Sequence, residues 1–175
     1  MSARFEPLPD GGMRVTLNRE EYDLLRSLPD ELRGLYEAGP AEDDPVAARF
    51  FPRAYLDPTA EDAEREWREL VHPELIRERL AGLQRVVSSL DEASSEGRTT
   101  VVADLQPDDV QAWLGVLNDS RLALGTRLGV TEHLDYDDVE PSDPLAPAFA
   151  AYGWLTYLEG ELVEALLGGL PEEGG

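Results

Sequence analysis

Apolar positions recur every three or four residues along most of the chain, and extended patterns are confined to a few short stretches. Phe5 to Leu8 and Met13 to Leu17 read as two strands flanking Pro9-Asp10-Gly11-Gly12, where glycine supplies the positive φ of a hairpin turn. Asn18 then stands as an N-cap with Glu21 three residues on, the spacing of a capping box. Helical spacing follows through Tyr22, Leu25, Leu28, Leu32, Leu35 and Tyr36, with Pro29 inside the run predicting a kink or a junction of two helices. Thr99 to Leu105 carries a β-branched run and reads as a third strand.

Between Gly39 and Pro58 four prolines punctuate a loop, yet Phe50, Phe51, Tyr55 and Leu56 are too apolar to leave in water, so the segment should strap across a core. A helix capped by Thr59 is expected over Ala60 to His72. Pro73 suits the first turn of a separate helix whose apolar face runs from Leu75 to Leu90. His72, at that junction, reads as a polar filler or as a partner of the helix C-terminal dipole. Pro107 opens a helix through Val110, Trp113, Leu117, Leu124 and Leu128, which Gly129 stops. Phe149 to Leu167 is the last helix. The expectation is therefore an α+β, mainly helical fold: about five helices around one core with a small three-stranded sheet, the N-terminal hairpin plus a strand near 99–105. Residues 1–170 should form one domain and 171–175 a mobile tail.

One echo runs through this pattern. Val15 to Tyr22 and Ala103 to Val110 both read strand, cap, two acids in the first helical turn, then an apolar face. General strand-to-helix grammar explains the likeness as well as duplication does.

Charge changes the picture more than any element. The 175 residues hold 37 acids against 15 basic residues, a formal net charge of −22, and every basic residue is arginine. Such a surface disfavours bare electrostatic binding to nucleic acid or an anionic membrane. With no cysteine, disulfides and thiolate chemistry are absent from these residues. No signal-like run opens the sequence and no stretch reaches 18 apolar residues, which leads us to expect a cytoplasmic protein.

From Thr131 onward there are eleven acids and no arginine. A solvated face would look like this, and so would a docking surface for a protein partner with a basic surface, formed by Asp135, Asp137, Asp138, Glu161 and Glu164. Glu132 to Asp138 alone combines carboxylates with an imidazole, but it lacks the glycine and closing glutamate of an EF-hand, so we assign no metal site. No nucleophile elbow, phosphate-binding loop or dinucleotide fingerprint is present, so no catalytic residue and no cofactor is assigned.

The most distinctive segment is Trp113 to Gly129, where Asn118, Asp119, Arg121 and Arg127 interrupt an apolar helix and Gly125 weakens it by about 1 kcal/mol. Such a glycine predicts another element crossing close by, and the polar residues should satisfy buried groups in the core or mark a functional motif. Asn118-Asp119-Ser120-Arg121-Leu122-Ala123-Leu124-Gly125-Thr126-Arg127-Leu128-Gly129 resembles the signature of an actinobacterial family described as domain of unknown function 2017. Arg49 to Tyr55, Glu66-Trp67-Arg68, Asp143-Pro144 and Tyr152 to Leu155 are similar to its other elements, so the likeness runs from about Phe5 to Leu167. The resemblance implies no catalysis, genes beside the Clp-protease adaptor, and redox-responsive transcription regulators among the members. A cysteine-dependent version of that response has no residue here to carry it. The functional expectation is a non-enzymatic regulatory or adaptor module acting through protein contacts. The alternatives are a transcription regulator touching DNA or the transcription machinery and, last, a carboxylate-metal enzyme.

Overall fold

A computed structural model of the chain describes residues 4–41, 43–133 and 139–169. The hairpin forms as its turn residues require: β1 (Arg4–Pro7) and β2 (Met13–Asn18) pair antiparallel, and Gly11 takes φ 84° in the turn between them. Gly12 has its own reason to be glycine, because a Cβ there would lie 2.2 Å from the Leu105 carbonyl oxygen.

Asn18 caps α1 (Arg19–Ala38) with a complete capping box. Pro29 is accepted inside a single continuous helix, so neither of two separate helices nor a junction is found there. After it comes α2 (Pro45–Phe50), capped by Asp44 within the stretch expected to be loop. A 3-10 turn at Pro58–Ala60 leads into α3 (Glu61–Asp91). The break expected at Pro73 is a correction: α3 runs straight through it. Proline removes one backbone hydrogen bond and crowds the preceding turn, at about 3 kcal/mol. Tertiary anchors on both sides outweigh that local cost. Glu64 is tied to the backbone at Ala54 and Tyr55, while Leu83, Val86 and Leu90 are buried in the core.

The sheet has four strands, not three. A hairpin adds β3 (Ser94–Glu96) to β4 (Thr100–Leu105), giving the order β1-β2-β4-β3. Sequence patterning misses β3 because Ser94, Ser95 and Glu96 are all polar and exposed, with no alternation to read. In the central pair, Met13, Val15 and Leu17 stand opposite Leu105, Ala103 and Val101, and this face is buried. On the other face Arg14 grips Asp104 through two 2.7 Å bonds, which hold the Asp104 carboxyl below its ordinary range.

Next come α4 (Pro107–Leu128), stopped by Gly129 in the left-handed conformation at φ 66°, and α5 (Ala146–Gly168). Among the described residues the helix count matches expectation, but its makeup differs: α2 is new, and the two helices expected around Pro73 are one. Helix α4 sits centrally, packed against α3 on one side and α5 on the other. Its Trp113 is buried, meets Phe5 edge-on at 6.4 Å and donates its indole N–H to Ser89 at 2.8 Å. Ser89 in turn donates to the Val86 carbonyl, so this buried polar pair is satisfied.

Candidate functional site

Helix α4 turns its polar residues in several directions, and they do not form one cluster. Asp119 faces α1 and α3, where it accepts the Tyr36 hydroxyl at 2.5 Å and lies 3.3 Å from the Arg79 guanidinium. Arg79 is stacked among aromatic rings, its guanidinium carbon 5.6 Å from the Tyr36 centroid, 5.0 Å from Phe50 and 5.7 Å from Phe51. Three helices and the end of α2 thus converge on one ion pair inside an aromatic shell. Burial raises the Tyr36 hydroxyl pKa, with the Asp119 charge and hydrogen bond adding to the effect, so the phenol stays protonated and serves as a donor.

Beside this node, α3 and α4 leave an open groove of about 440 Å³, lined by the small residues Ala81, Gly82, Ala112 and Gly115 and rimmed by Arg85 and Asp108. Sequence reading singled out Asp119 but missed Tyr36 and Arg79. A signal for Arg79 existed: it falls in the middle of the apolar face of α3, between Leu75, Ile76 and Leu83, where a solvated arginine does not belong.

The other candidate residues of this segment lie elsewhere. Asn118 is exposed, correcting the expectation that it satisfies core groups; its position one residue before Asp119 turns it off the packed faces of α4. Arg121 does meet a carboxylate, with its Nε 3.0 Å from Glu159 on α5. Arg127 is half exposed and only 3.9 Å from Glu31, a surface contact. Gly125 fulfils the close-crossing expectation, since a Cβ there would come within 2.7 Å of the Tyr152 ring on α5.

A second polar group surrounds the loop after α2. Glu64 is buried and accepts the Ala54 and Tyr55 N–H groups at 3.0 and 2.9 Å, plus Arg68 Nε at 2.9 Å. Burial opposes ionisation, but these donors prevail and hold its pKa below the ordinary value. His72 lies one turn further on, 4% exposed, with Phe51 and Trp67 centroids at 5.3 and 5.2 Å and neither ring nitrogen hydrogen-bonded. Because α3 continues past it, His72 has no helix end to serve, which corrects the dipole reading. Burial lowers its pKa, Arg68 adds to the shift and Glu64 offsets part of it.

Of the acidic docking candidates, Asp135, Asp137 and Asp138 lie outside the described residues, as do most of the Glu132–Asp138 stretch and the expected tail. Glu161 is half-buried and Glu164 exposed on α5. Among the described residues no three His, Asp or Glu side chains are grouped to hold a metal. Nor is any helix among them long and apolar enough to cross a membrane.

A family model described as domain of unknown function (DUF2017) matches residues 1–166. The chain belongs to the DUF2017 family. A Mycobacterium leprae protein, named provisionally as the oxidative stress regulator AosR, is 33% identical over 170 residues, covering 90% of this chain and 75% of its own. The oxidative stress regulator AosR of Mycobacterium bovis is 32% identical over 136 residues, covering 71% of this chain and 59% of its own, and the Mycobacterium tuberculosis protein of that name gives the same figures. The DUF2017 chain therefore spans about three-fifths of these last two relatives. No solved structure matches it.

Proposed function

We propose that this chain is a regulatory module that works by binding another protein rather than by catalysis, and that its acidic outer surface selects a partner rich in arginine and lysine. The observation that carries the reading is the distribution of charge. The net charge is −22, and many arginines are tied to carboxylates, as in Arg14–Asp104, Arg26–Asp91, Arg53–Glu61 and Arg85–Asp109. Cations neutralised in this way do not make a stripe that tracks a phosphate backbone. Relatives named as oxidative stress regulators support the regulatory part.

The test sets protein against DNA. A labelled duplex is titrated with the chain at about 50 and 200 mM salt, where a protein contacting several phosphates loses orders of magnitude in affinity. No binding at either salt is expected; tight, steeply salt-dependent binding would transfer the regulatory role to direct DNA contact. In parallel, the immobilised chain captures partners from its source lysate, beside a variant carrying Asp135→Arg, Asp137→Arg and Asp138→Arg. A basic protein retained by the first and released by the variant supports the acidic docking surface. Equal retention removes it.

A further inference from the structure

We infer that a cavity between α2, α4 and α5 is a binding site for the phosphate group of a small anion. The inference stands without the protein-binding reading, since it rests on where the chain places its scarce positive charge. The cavity measures about 410 Å³, within the range of small-ligand sites, and its described lining contains Arg49 and Arg121 and no carboxylate. In a chain of 37 acids that lining is unusual. The α3–α4 groove is lined by Glu78, Asp108 and Asp119 beside its arginines. A further cavity near Phe51 also lacks acids in its described lining, but both of its arginines, Arg53 and Arg68, are held by Glu61 and Glu64, whereas here only Arg121 is held, by Glu159.

Arg49 has no carboxylate partner among the described residues, and its backbone is held in place. It lies in the short helix α2, which Asp44 caps at its start and the buried Phe50 anchors at its end. Arg121 approaches from α4. Its Nε lies 3.0 Å from Glu159 of α5, an ion pair that ties the guanidinium to the wall of the cavity. Thr131 adds a hydroxyl at the end of α4, while Leu122, Val130 and the Tyr152 ring supply an apolar wall. Thr126 also lines the space, but it already donates its proton to the Leu122 carbonyl. The Arg49 guanidinium, with Arg121 and the Thr131 hydroxyl beside it, offers more donors than one and so suits the several acceptor oxygens of a phosphate better than a single carboxylate. The apolar wall leaves room for a carbon skeleton beside it. The close crossing at Gly125 and Tyr152 helps define the space, because a side chain at 125 would push that ring away.

The probes are inorganic phosphate and adenosine 5′-monophosphate, titrated by calorimetry and by amide NMR at constant ionic strength, with chloride as the reference anion. Saturable binding is expected, with shifts concentrated at Gly129 to Thr131 and around Arg49. Arg49→Gln should weaken it about tenfold or more. Arg98→Gln makes the same charge change at an exposed turn and should leave the affinity unaltered. Far-UV circular dichroism checks that both variants fold. Binding of either probe through Arg49 supports the site, and the ratio of their affinities shows whether the phosphate arrives free or on an organic body. If neither probe binds beyond the chloride response, or if Arg49→Gln and Arg98→Gln bind like the parent, the inference is overturned.

Discussion

The units β2–α1 and β4–α4 follow the same plan, yet they use the acid at the third helical position in opposite ways. In α1, Glu21 accepts the Asn18 N–H at 2.8 Å while fully buried, and Trp154 of α5 points its indole N–H at the same carboxylate from 3.4 Å. In α4, Asp109 accepts the Gln106 N–H at 3.0 Å but keeps partial contact with solvent and pairs with Arg85 on α3 at 3.2 Å. One cap is sealed by a third helix and held by neutral donors at the positive end of a helix; the other is a surface cap with an ionic neighbour. Local grammar makes the cap. What packs over it decides how much stability depends on it.

The largest effect should come from Glu21→Ala, which leaves the half-buried Asn18 N–H and the buried Trp154 indole N–H without their acceptor. A loss of about 3 kcal/mol is expected in urea unfolding, against about 0.5–1 kcal/mol for Asp109→Ala. Equal losses would mean that the two units are energetically alike and the comparison is wrong. Next in size is Gly125→Ala, which asks how tightly α5 crosses α4 by comparison with its contact on α1. A new methyl gains about 1 kcal/mol of helix propensity but collides with Tyr152, so a net loss of about 1–2 kcal/mol is expected. A net gain would show that the ring moves aside freely.

Tyr36→Phe probes the bridge between the two units, since Tyr36 of α1 donates to Asp119 of α4. It should cost about 1–1.5 kcal/mol, and an unchanged midpoint would mean that Arg79 alone satisfies Asp119. The smallest effect lies on α3, outside both units. The native His72 pKa is lowered below the unfolded value near 6.5, so the unfolded chain takes up a proton first. Stability therefore falls as pH drops below that value, until the native imidazole also titrates. The parent should lose more stability than His72→Phe between about pH 7.5 and pH 5, read from urea midpoints. Parallel pH profiles would remove His72 as a contributor.

The sequence made legible whatever is settled within a few residues. The hairpin at Gly11-Gly12, the Asn18–Glu21 cap, Pro107 opening α4 and Gly129 closing it all depend on local backbone chemistry. It failed where distant packing decides. Pro73 carries a strong local stop signal that anchors on both sides of it override. Sequence patterning failed too at β3, a local hairpin partner of β4 whose three polar, exposed residues show no alternation. The segment Asn118–Gly129 was legible as a motif but not as a geometry. One helix sends Asp119 to the aromatic node, Arg121 to the cavity facing α2, and Asn118 to solvent. No spacing rule could have placed Arg49, about 70 residues earlier, beside Arg121.

The register of the central strands carries a consequence for how the chain is made. From Met13 opposite Leu105 to Asn18 opposite Thr100, the rungs of the β2–β4 ladder join residues 92 down to 82 positions apart. A chain growing on the ribosome therefore completes β2, α1, α2, α3 and β3 before the partner strand exists. Until β4 emerges, the apolar row Met13, Val15 and Leu17 stands on an unpaired edge, the state most open to pairing with another nascent chain. Closing that ladder has to wait for a long intervening stretch, so the sheet should form late and its assembly should set the pace of folding.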